Sequence, residues 1–311
     1  MASRRVLIVG ASGFLGSNFA LAAREKYSVV AHSFRAPLCA TGMDSITADL
    51  TLPGSAGELL RAARADVVIN CAALADVDAC EGNPALARQL NASVPGEIAI
   101  ACRLHGAVLV HISTDAVFGD GLRPWTPESV PRPINVYGAT KAEGEQRVLS
   151  HLSSALVLRT NTIGWSPSGR RSLLEFFYNR LSTGERAPGF TDVAFRPLAV
   201  CDLWRLLNEL IASGNHGIWH ATGADLISKF TFGVLVASTF GFDETLVAPV
   251  LFAEAGLSAP RARRADVEPS RGRGRSGANP VAIADGLRSL REQQAQGHRQ
   301  ALSALLPRQV A

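Results

Sequence analysis

The stretch from Arg4 to Lys26 limits the fold of this chain more than any other. Arg4 to Gly10 is a short run of β-branched residues and leucine, which is typical of a strand buried on both faces of a parallel sheet. The chain then passes directly into Gly10-Ala-Ser-Gly13-Phe-Leu-Gly16 and an alanine-rich helical pattern. A strand, a glycine turn and a helix in this order predict the beginning of a doubly wound α/β fold with a parallel sheet.

The glycines of this turn are spaced as in sites that bind the pyrophosphate of a dinucleotide. One glycine permits the tight turn, a second lets backbone amides approach the phosphates, and a third lets the helix pack closely on the strand. The phosphates would lie at the helix amino terminus, where free N–H groups and the helix dipole favour negative charge. We therefore predict a cofactor site at Gly10, Ser12, Gly13, Phe14, Leu15 and Gly16. A plain turn is the alternative interpretation.

The second predicted strand, Ser28 to Phe34, ends without the acidic residue that usually binds the adenosine ribose of NAD. Arg35 follows it, and an arginine suits the 2′-phosphate of NADPH, so we expect NADPH to be preferred and NADH to be the alternative cofactor. Arg35 as a solvated loop residue is the competing interpretation. Asp49 and Leu50 close a short third strand near Ile46, where a carboxylate would reach the adenine amino group.

Two later strands end in small or hydroxyl residues. Asp66 to Cys71 runs into Ala72-Ala73, and Ala107 to Ile112 delivers Ser113 and Thr114. Because parallel strands in such a sheet end at one edge, we expect these residues to share a crevice with the glycine turn. The predicted cofactor contacts there are Cys71, Ala72, Ala73 and Ser113.

A helix is predicted between these strands, from Pro84 to about His105, and it carries Asn91. Asn91 is either a helix-surface residue or a structural asparagine that faces the site. The second interpretation places it among the predicted cofactor-binding residues.

Tyr137 and Lys141 supply the most specific chemical signal. Asn135 resembles a helix cap, Tyr137 to His151 is helical by composition, and residues four apart lie on one helix face. A tyrosine can protonate a carbonyl oxygen if its pKa, about 10 in a free side chain, is lowered, and a nearby lysine ammonium would do so. Thr114 would donate a hydrogen bond to the substrate oxygen, and Ser113 could share this role. The predicted catalytic residues are therefore Thr114, Tyr137 and Lys141, and the last two would also contact the cofactor.

Beyond Thr160 the regular alternation of predicted strands and helices is no longer found. Mixed helices and strands predict a smaller α/β substrate lobe, so we divide the chain into a dinucleotide-binding domain over residues 1–160 and a substrate lobe over residues 161–311, with some elements returning to the first domain. Ser270 to Asn279, rich in arginine, glycine and serine, is predicted to be a flexible loop, and phosphate binding is the alternative.

Composition narrows the class of protein. The net charge of +4 comes largely from arginines between Arg261 and Arg275, which argues against nucleic acid as a partner. No apolar run is long enough to span a membrane, so we expect a cytoplasmic protein without a membrane partner. The five cysteines are scattered and odd in number, so we predict free thiols and no metal.

Four stretches together resemble the extended short-chain dehydrogenases/reductases, and most closely the dTDP-4-dehydrorhamnose reductase group. They read VGASGFLGSNFA, INCAALADVDACEGNPALARQLNA, VLVHISTDAVFGDG and PINVYGATKAEGE. The resemblance implies a Rossmann-type domain, NAD(P)H, a nucleotide-linked 4-keto-6-deoxysugar as substrate, and Thr114, Tyr137 and Lys141 as the catalytic group. A homodimer is an open expectation.

The second half departs from that group. Asn161-Thr162-Ile163-Gly164-Trp165 stands where the group has Trp-Val-Tyr-Gly, Asp192-Val193 and Pro197-Leu198 replace its Asp-Gln and Pro-Thr, and an arginine-rich run from Ala259 to Arg264 replaces a late Arg-Pro motif. Two alternatives to the reductase are therefore kept. One is a non-catalytic, NADP-binding regulatory subunit like the beta subunit of methionine adenosyltransferase, and the other is a sugar-nucleotide epimerase.

Overall fold

The computed structural model describes residues 4–38, 42–255, 259–270 and 279–306. The strands are β1 (Arg5–Val9), β2 (Ser28–Ser33), β3 (Met43–Thr47), β4 (Val67–Asn70), β5 (Val108–Thr114), β6 (Leu156–Thr160), β7 (Thr162–Ile163), β8 (Ala187–Phe190), β9 (Ala194–Phe195), β10 (Leu198–Ala199), β11 (Gly217–Ala221), β12 (Ile227–Ser228) and β13 (Val247–Val250). The helices are α1 (Phe14–Ala23), α2 (Ser55–Ala63), α3 (Val77–Gly82), α4 (Pro84–Arg88), α5 (Val94–His105), α6 (Val136–His151), α7 (Leu173–Ser182), α8 (Val200–Ala212), α9 (Lys229–Phe240), α10 (Ile283–Ala295) and α11 (His298–Ala304).

Seven parallel strands form the central sheet in the order β11-β6-β5-β4-β1-β2-β3. Alternate residues of β1 pack on opposite faces: Val6 and Ile8 join a core with α1, α8 and α10, while Leu7 and Val9 join a core with α2, α5 and α6. Helices therefore cover both faces of the sheet, and the predicted Rossmann-type fold is confirmed. The strand order changes direction between β1 and β4, which is where such sheets bind ligands.

The part of the chain beyond residue 160 contributes one strand to this sheet and also forms separate two-stranded sheets. β11 pairs with β6 at the sheet edge, and α8 and α10 pack on one face. The remaining strands pair as β7 with β10, β9 with β12, and β8 with β13, near α7 and α9. The division at residue 160 stays a prediction.

The predicted helix from Pro84 to His105 is interrupted. α4 continues into a π-helical turn, Gln89–Ser93, before α5 begins, and the preceding α3 was not predicted. Pro95 provides a physical reason, because it lacks the N–H that an α-helix would use to bond the Asn91 carbonyl. Asn91 thus lies within a wider turn and is fully buried. The third strand also ends earlier than predicted, at Thr47, so Asp49 and Leu50 lie in the loop that follows.

Within the described ranges, no helix is both long enough and apolar enough to cross a membrane. Of the five cysteines, Cys71, Cys80, Cys102 and Cys201 are free thiols, and Cys39 lies outside the described residues. Most of the predicted loop from Ser270 to Asn279 also lies outside them.

Candidate active site

The glycine turn is shaped by two close backbone approaches. Gly10 has a φ of +78°, and a Cβ there would lie 2.8 Å from the Ala72 nitrogen. A Cβ on Gly16 would lie 2.3 Å from the Gly10 carbonyl oxygen, so α1 packs directly on the end of β1. Gly13 is the N-cap residue of α1, and among the described residues no side chain caps this end. The exposed amino terminus beside Ser12 fits the phosphates of a dinucleotide.

The predicted adenosine end of the site is built around a histidine that sequence reasoning missed. His32 accepts a hydrogen bond from the Gly10 N–H at Nδ1 (3.3 Å), and its Nε2 lies 3.0 Å from the Ala48 carbonyl oxygen. It ties the glycine turn to the loop after β3. Burial lowers its pKa, so the ring stays neutral in this role.

Arg35 and Asp49 lie at the ends of adjacent strands. Arg35 is exposed and stacks on the Phe34 ring at 5.6 Å, so its guanidinium faces solvent beyond β2. Asp49 accepts hydrogen bonds from the backbone and hydroxyl of Thr51, which lower its pKa. Leu50 is buried, and so packs beneath this loop.

At the end of β4, Cys71 and Ala72 are half-buried and Ala73 is exposed. Burial raises the pKa of the Cys71 thiol to about 12, so the thiol is protonated at neutral pH. Asn91 holds the chain that follows: its side-chain oxygen accepts from the Leu74 N–H (2.8 Å) and its amide donates to the Leu74 carbonyl (3.0 Å). Asn91 is therefore a buried, structural residue rather than a helix-surface one, and its place among the cofactor-binding residues stays a prediction.

The three predicted catalytic residues meet at the carboxyl end of β5. Asn135 caps α6 by accepting from the Gly138 N–H (2.8 Å), which sets Tyr137 in the first turn. Thr114, at the end of β5, lies close enough to Tyr137 to lower the pKa of its phenol. One turn later, Lys141 reaches down to the strand and donates to the Ile112 carbonyl (2.7 Å).

Ionisation at Tyr137 differs from the expectation. Burial is the largest effect and raises the pKa of Tyr137 to about 12, the Thr114 hydroxyl lowers it, and the Asp115 carboxylate raises it. Burial likewise lowers the pKa of Lys141 to about 8. The chain's own groups thus keep the phenol protonated, but they do not supply the lowered pKa that favours proton transfer.

Ser113 belongs to a buried charged cluster that spacing did not reveal. Its hydroxyl donates to Glu145 (2.5 Å), and Glu145 also pairs with Arg159 (2.7 Å). Arg159 lies 4.9 Å over the Phe118 ring and 3.4 Å from Nε2 of His220. Since its hydrogen is used by Glu145, Ser113 supports α6 from below. The Thr114 hydroxyl donates to the Asp115 carboxylate (3.2 Å), and it is the member of the pair that affects the pKa of Tyr137.

Polar and cationic groups lie around Asp115, the residue that follows Thr114. Asn161 donates to the buried Asp115 carboxylate (2.6 Å), and burial raises the pKa of Asp115. Lys229, at the start of α9, attracts the same carboxylate, and Arg261 lies close enough to lower the pKa of Lys229 further than burial does alone. Arg261 is anchored to Asp78 (2.7 Å).

The segment from Asn161 to Trp165, which differs from the family pattern, contributes to two different parts of the structure. Asn161 faces Asp115, whereas Trp165 is fully buried and donates to the Leu290 carbonyl (2.9 Å). Trp165 therefore belongs to the core between the sheet and α10.

A parallel sheet with a glycine turn, a strand-end threonine and a tyrosine-lysine pair on the next helix defines an extended short-chain dehydrogenase/reductase. Within that class, this chain belongs to the RmlD family: the model of the RmlD substrate binding domain matches residues 4–293.

Named relatives agree with this family. The chain is 36% identical over 267 residues to a dTDP-4-dehydrorhamnose reductase of Mycobacterium tuberculosis, covering 83% of each chain. It is 30% identical over 289 residues to a probable low-salt glycan biosynthesis reductase of Haloferax volcanii, covering 91% of this chain and 96% of that one. A crystal structure of dTDP-4-dehydrorhamnose reductase from Bacillus anthracis in complex with NADP superimposes with a TM-score of 0.82 at 26% identity, covering 94% of this chain and 99% of the other.

Proposed function

We propose that this protein is an NAD(P)H-dependent reductase of the keto group of a nucleotide-activated deoxysugar, like dTDP-4-dehydrorhamnose reductase. The observation that carries the proposal is the meeting of Thr114, Tyr137 and Lys141 at the sheet edge that also holds the glycine turn. Family membership and the NADP complex of a relative support it.

The chain's residues divide the reaction among them. NADPH, when bound, supplies the hydride that reduces the carbonyl carbon. Tyr137 donates its proton to the carbonyl oxygen, and Thr114 hydrogen-bonds that oxygen and orients the phenol. Lys141 lies one helical turn from Tyr137 and would hold the ribose of the nicotinamide. Lys229 and Arg261 bring two cations close to each other near Asp115, and we expect them to bind an anionic diphosphate.

Turnover tests this directly. Purified protein should oxidise NADPH when given dTDP-4-keto-6-deoxyhexose, within a panel of keto-sugar nucleotides assayed with NADPH and NADH in parallel. Replacing the acid, Tyr137→Phe, should lower kcat about 10²- to 10⁴-fold, because general acid catalysis contributes that much. NADPH binding by the variant serves as the folding control. Unchanged turnover in Tyr137→Phe would refute the assignment.

Arg35 is proposed to favour NADPH through its 2′-phosphate. Arg35→Ser should weaken NADPH binding by about tenfold to a hundredfold, as expected for a charged hydrogen bond, and leave NADH binding unchanged. Titration of both cofactors by fluorescence measures this. A strong preference of the unmodified protein for NADH would contradict it.

Two other functions give different results in the same assays. A regulatory subunit would co-purify with a catalytic partner and reduce no sugar nucleotide. Resemblance to the methionine adenosyltransferase 2 subunit beta of Rattus norvegicus, 27% identical, keeps this as a minor alternative. An epimerase would return a product of inverted configuration without net consumption of NADPH.

The cytoplasmic location and the homodimer stay predictions of the proposal. Cell fractionation checks the first, and light scattering of the eluted protein checks the second.

A further inference from the structure

Side chains from the first part of the chain hold the arginine-rich run from Ala259 to Arg264. Asp78, on α3, accepts hydrogen bonds from the Ala259 N–H (3.2 Å) and from the guanidinium of Arg261 (2.7 Å). Asp120, in the loop between β5 and α6, accepts from the Arg264 N–H (2.6 Å). Both ends of the run are therefore bound to the half of the chain that carries the candidate catalytic residues.

Between these ends, the run meets the residue that caps the helix of Tyr137. Nδ2 of Asn135 donates to the Pro260 carbonyl (2.9 Å), while Oδ1 of the same side chain accepts from the Gly138 N–H (2.8 Å). The proline ring fixes φ of Pro260, and its neighbours on either side both bind Asp78, so this carbonyl has little freedom to move. One planar amide group therefore joins the first turn of α6 to the arginine-rich run.

Tyr137 lies in the turn that this amide holds. The first N–H groups of a helix have no partner inside the helix, so the first turn opens readily unless other groups bind them. In α6, Glu81 accepts from the Val136 N–H (2.8 Å) and Asn135 accepts from the Gly138 N–H, directly before and after Tyr137. Because Glu81 also lies on α3, hydrogen bonds join α3, the arginine-rich run and the start of α6 in pairs.

We propose that Asn135 is a positioning residue, which holds Tyr137 in place by linking the start of α6 to the arginine-rich run. The bond to Gly138 stabilises the turn itself. The bond to Pro260 fixes where that turn lies relative to the second half of the chain, which provides the cations near Asp115.

The consequence for catalysis rests on the proposed function. A phenol transfers its proton only within hydrogen-bond reach of the carbonyl oxygen, and a displacement of about 1 Å can lower the rate by about a hundredfold. Arg261 donates to Asp78 and to the Ala259 carbonyl, which uses two of its five N–H groups and leaves the others for an anionic ligand. A diphosphate bound there would hold the run and, through Asn135, the position of Tyr137.

Limited trypsin digestion of the purified protein without ligands tests the link. Trypsin cleaves after arginine, so cleavage after Arg261, Arg263 or Arg264, identified by mass spectrometry of the fragments, reports on opening of the run. Asn135→Asp and Asn135→Ser both keep a good helix cap but lose the amide that donates to Pro260. Cleavage in both variants should be about two- to tenfold faster, which corresponds to the loss of one hydrogen bond.

Asn83→Asp is the matched control for this digestion. Asn83 caps α4 by accepting from the Leu86 N–H (3.1 Å), so the substitution is the same chemical change at another helix N-cap, and it should leave cleavage of the run unchanged. An unchanged cleavage rate in both Asn135 variants would overturn the link. A faster rate in Asn135→Asp alone would indicate charge repulsion instead of a lost hydrogen bond, and would equally overturn it.

Kinetics test the positioning role. In the NADPH assay with dTDP-4-keto-6-deoxyhexose, both Asn135 variants should lower kcat about two- to tenfold, while NADPH affinity and urea unfolding stay as in the unmodified protein. Asn83→Asp should leave kcat unchanged. A residue that only caps the helix would leave kcat unchanged in the Asn135 variants as well, since both keep the cap, and that result would contradict the positioning role.

The two assays separate this inference from the proposed function. If the unmodified protein reduces no keto-sugar nucleotide, the proposed function fails, yet the trypsin digestion still decides whether Asn135 links α6 to the arginine-rich run.

Discussion

Tyr137, Lys141 and Glu145 lie at successive turns of α6, and Glu145 forms a buried ion pair with Arg159. Glu145 and Arg159 are both about 98% buried and bind each other through three close contacts. A buried ion pair stabilises a protein little more than apolar side chains of the same size would. Removal of one partner is nevertheless destabilising, because the other charge is left buried without a counter-charge. Glu145 therefore anchors the catalytic helix to β6.

Removal of this anchor should be costly. Glu145→Gln should lower the free energy of unfolding by about 3–5 kcal/mol, because Arg159 is left buried with an uncharged partner. Glu143→Gln is the matched control on the same helix. Glu143 pairs with Arg88 and Arg147 at the surface, where such bridges contribute about 0–1 kcal/mol. Urea unfolding measures both, and equal losses would contradict the argument.

His220 makes stability depend on pH. Burial, and then the Arg159 charge, lower its pKa to about 4 from 6.5. A depressed pKa means that the unfolded chain binds the proton more readily, so stability is present above pH 6.5 and is lost as the pH falls towards 4. Between pH 7 and pH 5 this histidine should contribute a loss of about 2 kcal/mol. Urea unfolding of His220→Gln at both pH values should show a correspondingly smaller loss; an identical loss would rule the histidine out.

At the scale of elements, a glycine of α6 allows this helix to pack closely against the π turn at Gln89–Ser93. A Cβ on Gly144 would lie 2.1 Å from the Asn91 carbonyl oxygen, the same oxygen that Pro95 leaves without a helical donor. The π turn and α6 are therefore fitted together backbone to backbone. This contact brings the helix that carries Tyr137 against the segment that holds Leu74 in place.

Two glycine-to-alanine substitutions distinguish the effect of this contact on stability from the effect of helix propensity. Gly144→Ala should destabilise the protein by about 1–3 kcal/mol, since the methyl group must displace backbone. Gly57→Ala, on α2, has no described atom within 4 Å of the added Cβ and should stabilise it by about 0.5–1 kcal/mol. Thermal unfolding of both variants checks the opposite signs. Stabilisation of both would show that α6 can move away from Asn91 without penalty.

At the scale of the whole molecule, the two parts of the sequence share one core. A single apolar cluster joins Ile8 and Phe19 with Leu203, Phe232 and Leu287. The substrate lobe proposed for residues 161–311 thus packs against the first strands of the chain.

We expect the full chain to unfold in a single cooperative transition, because neither part keeps a complete core alone. Tryptophan fluorescence, which reports mainly on Trp165, Trp204 and Trp219 after residue 160, should coincide with far-UV circular dichroism during urea unfolding. Two separated transitions would instead support independent domains.

Sequence reasoning succeeded where the signal is local. The glycine turn, the Asn135 cap and the Tyr137–Lys141 spacing each lie within one turn or one helix, so their geometry follows from backbone periodicity. Asn70 with His111, and Glu145 with Arg159, are instead brought together by strand register and helix packing. No spacing along the chain predicts those contacts. Pro95 can be identified in the sequence. Its effect on the backbone at Asn91 could not be predicted, because that effect depends on whether one helix runs through both residues.

The placement of β11 beside β6 also has a consequence during synthesis. Until residue 221 has left the ribosome, Leu156–Thr160 has an unpaired edge on the side where β11 will bind, and three of its five residues are apolar. At ordinary translation speeds of about 5–20 residues per second, the delay lasts about 3–12 seconds. Such an edge can pair with another nascent chain, so we expect aggregation during synthesis to be favoured in this interval.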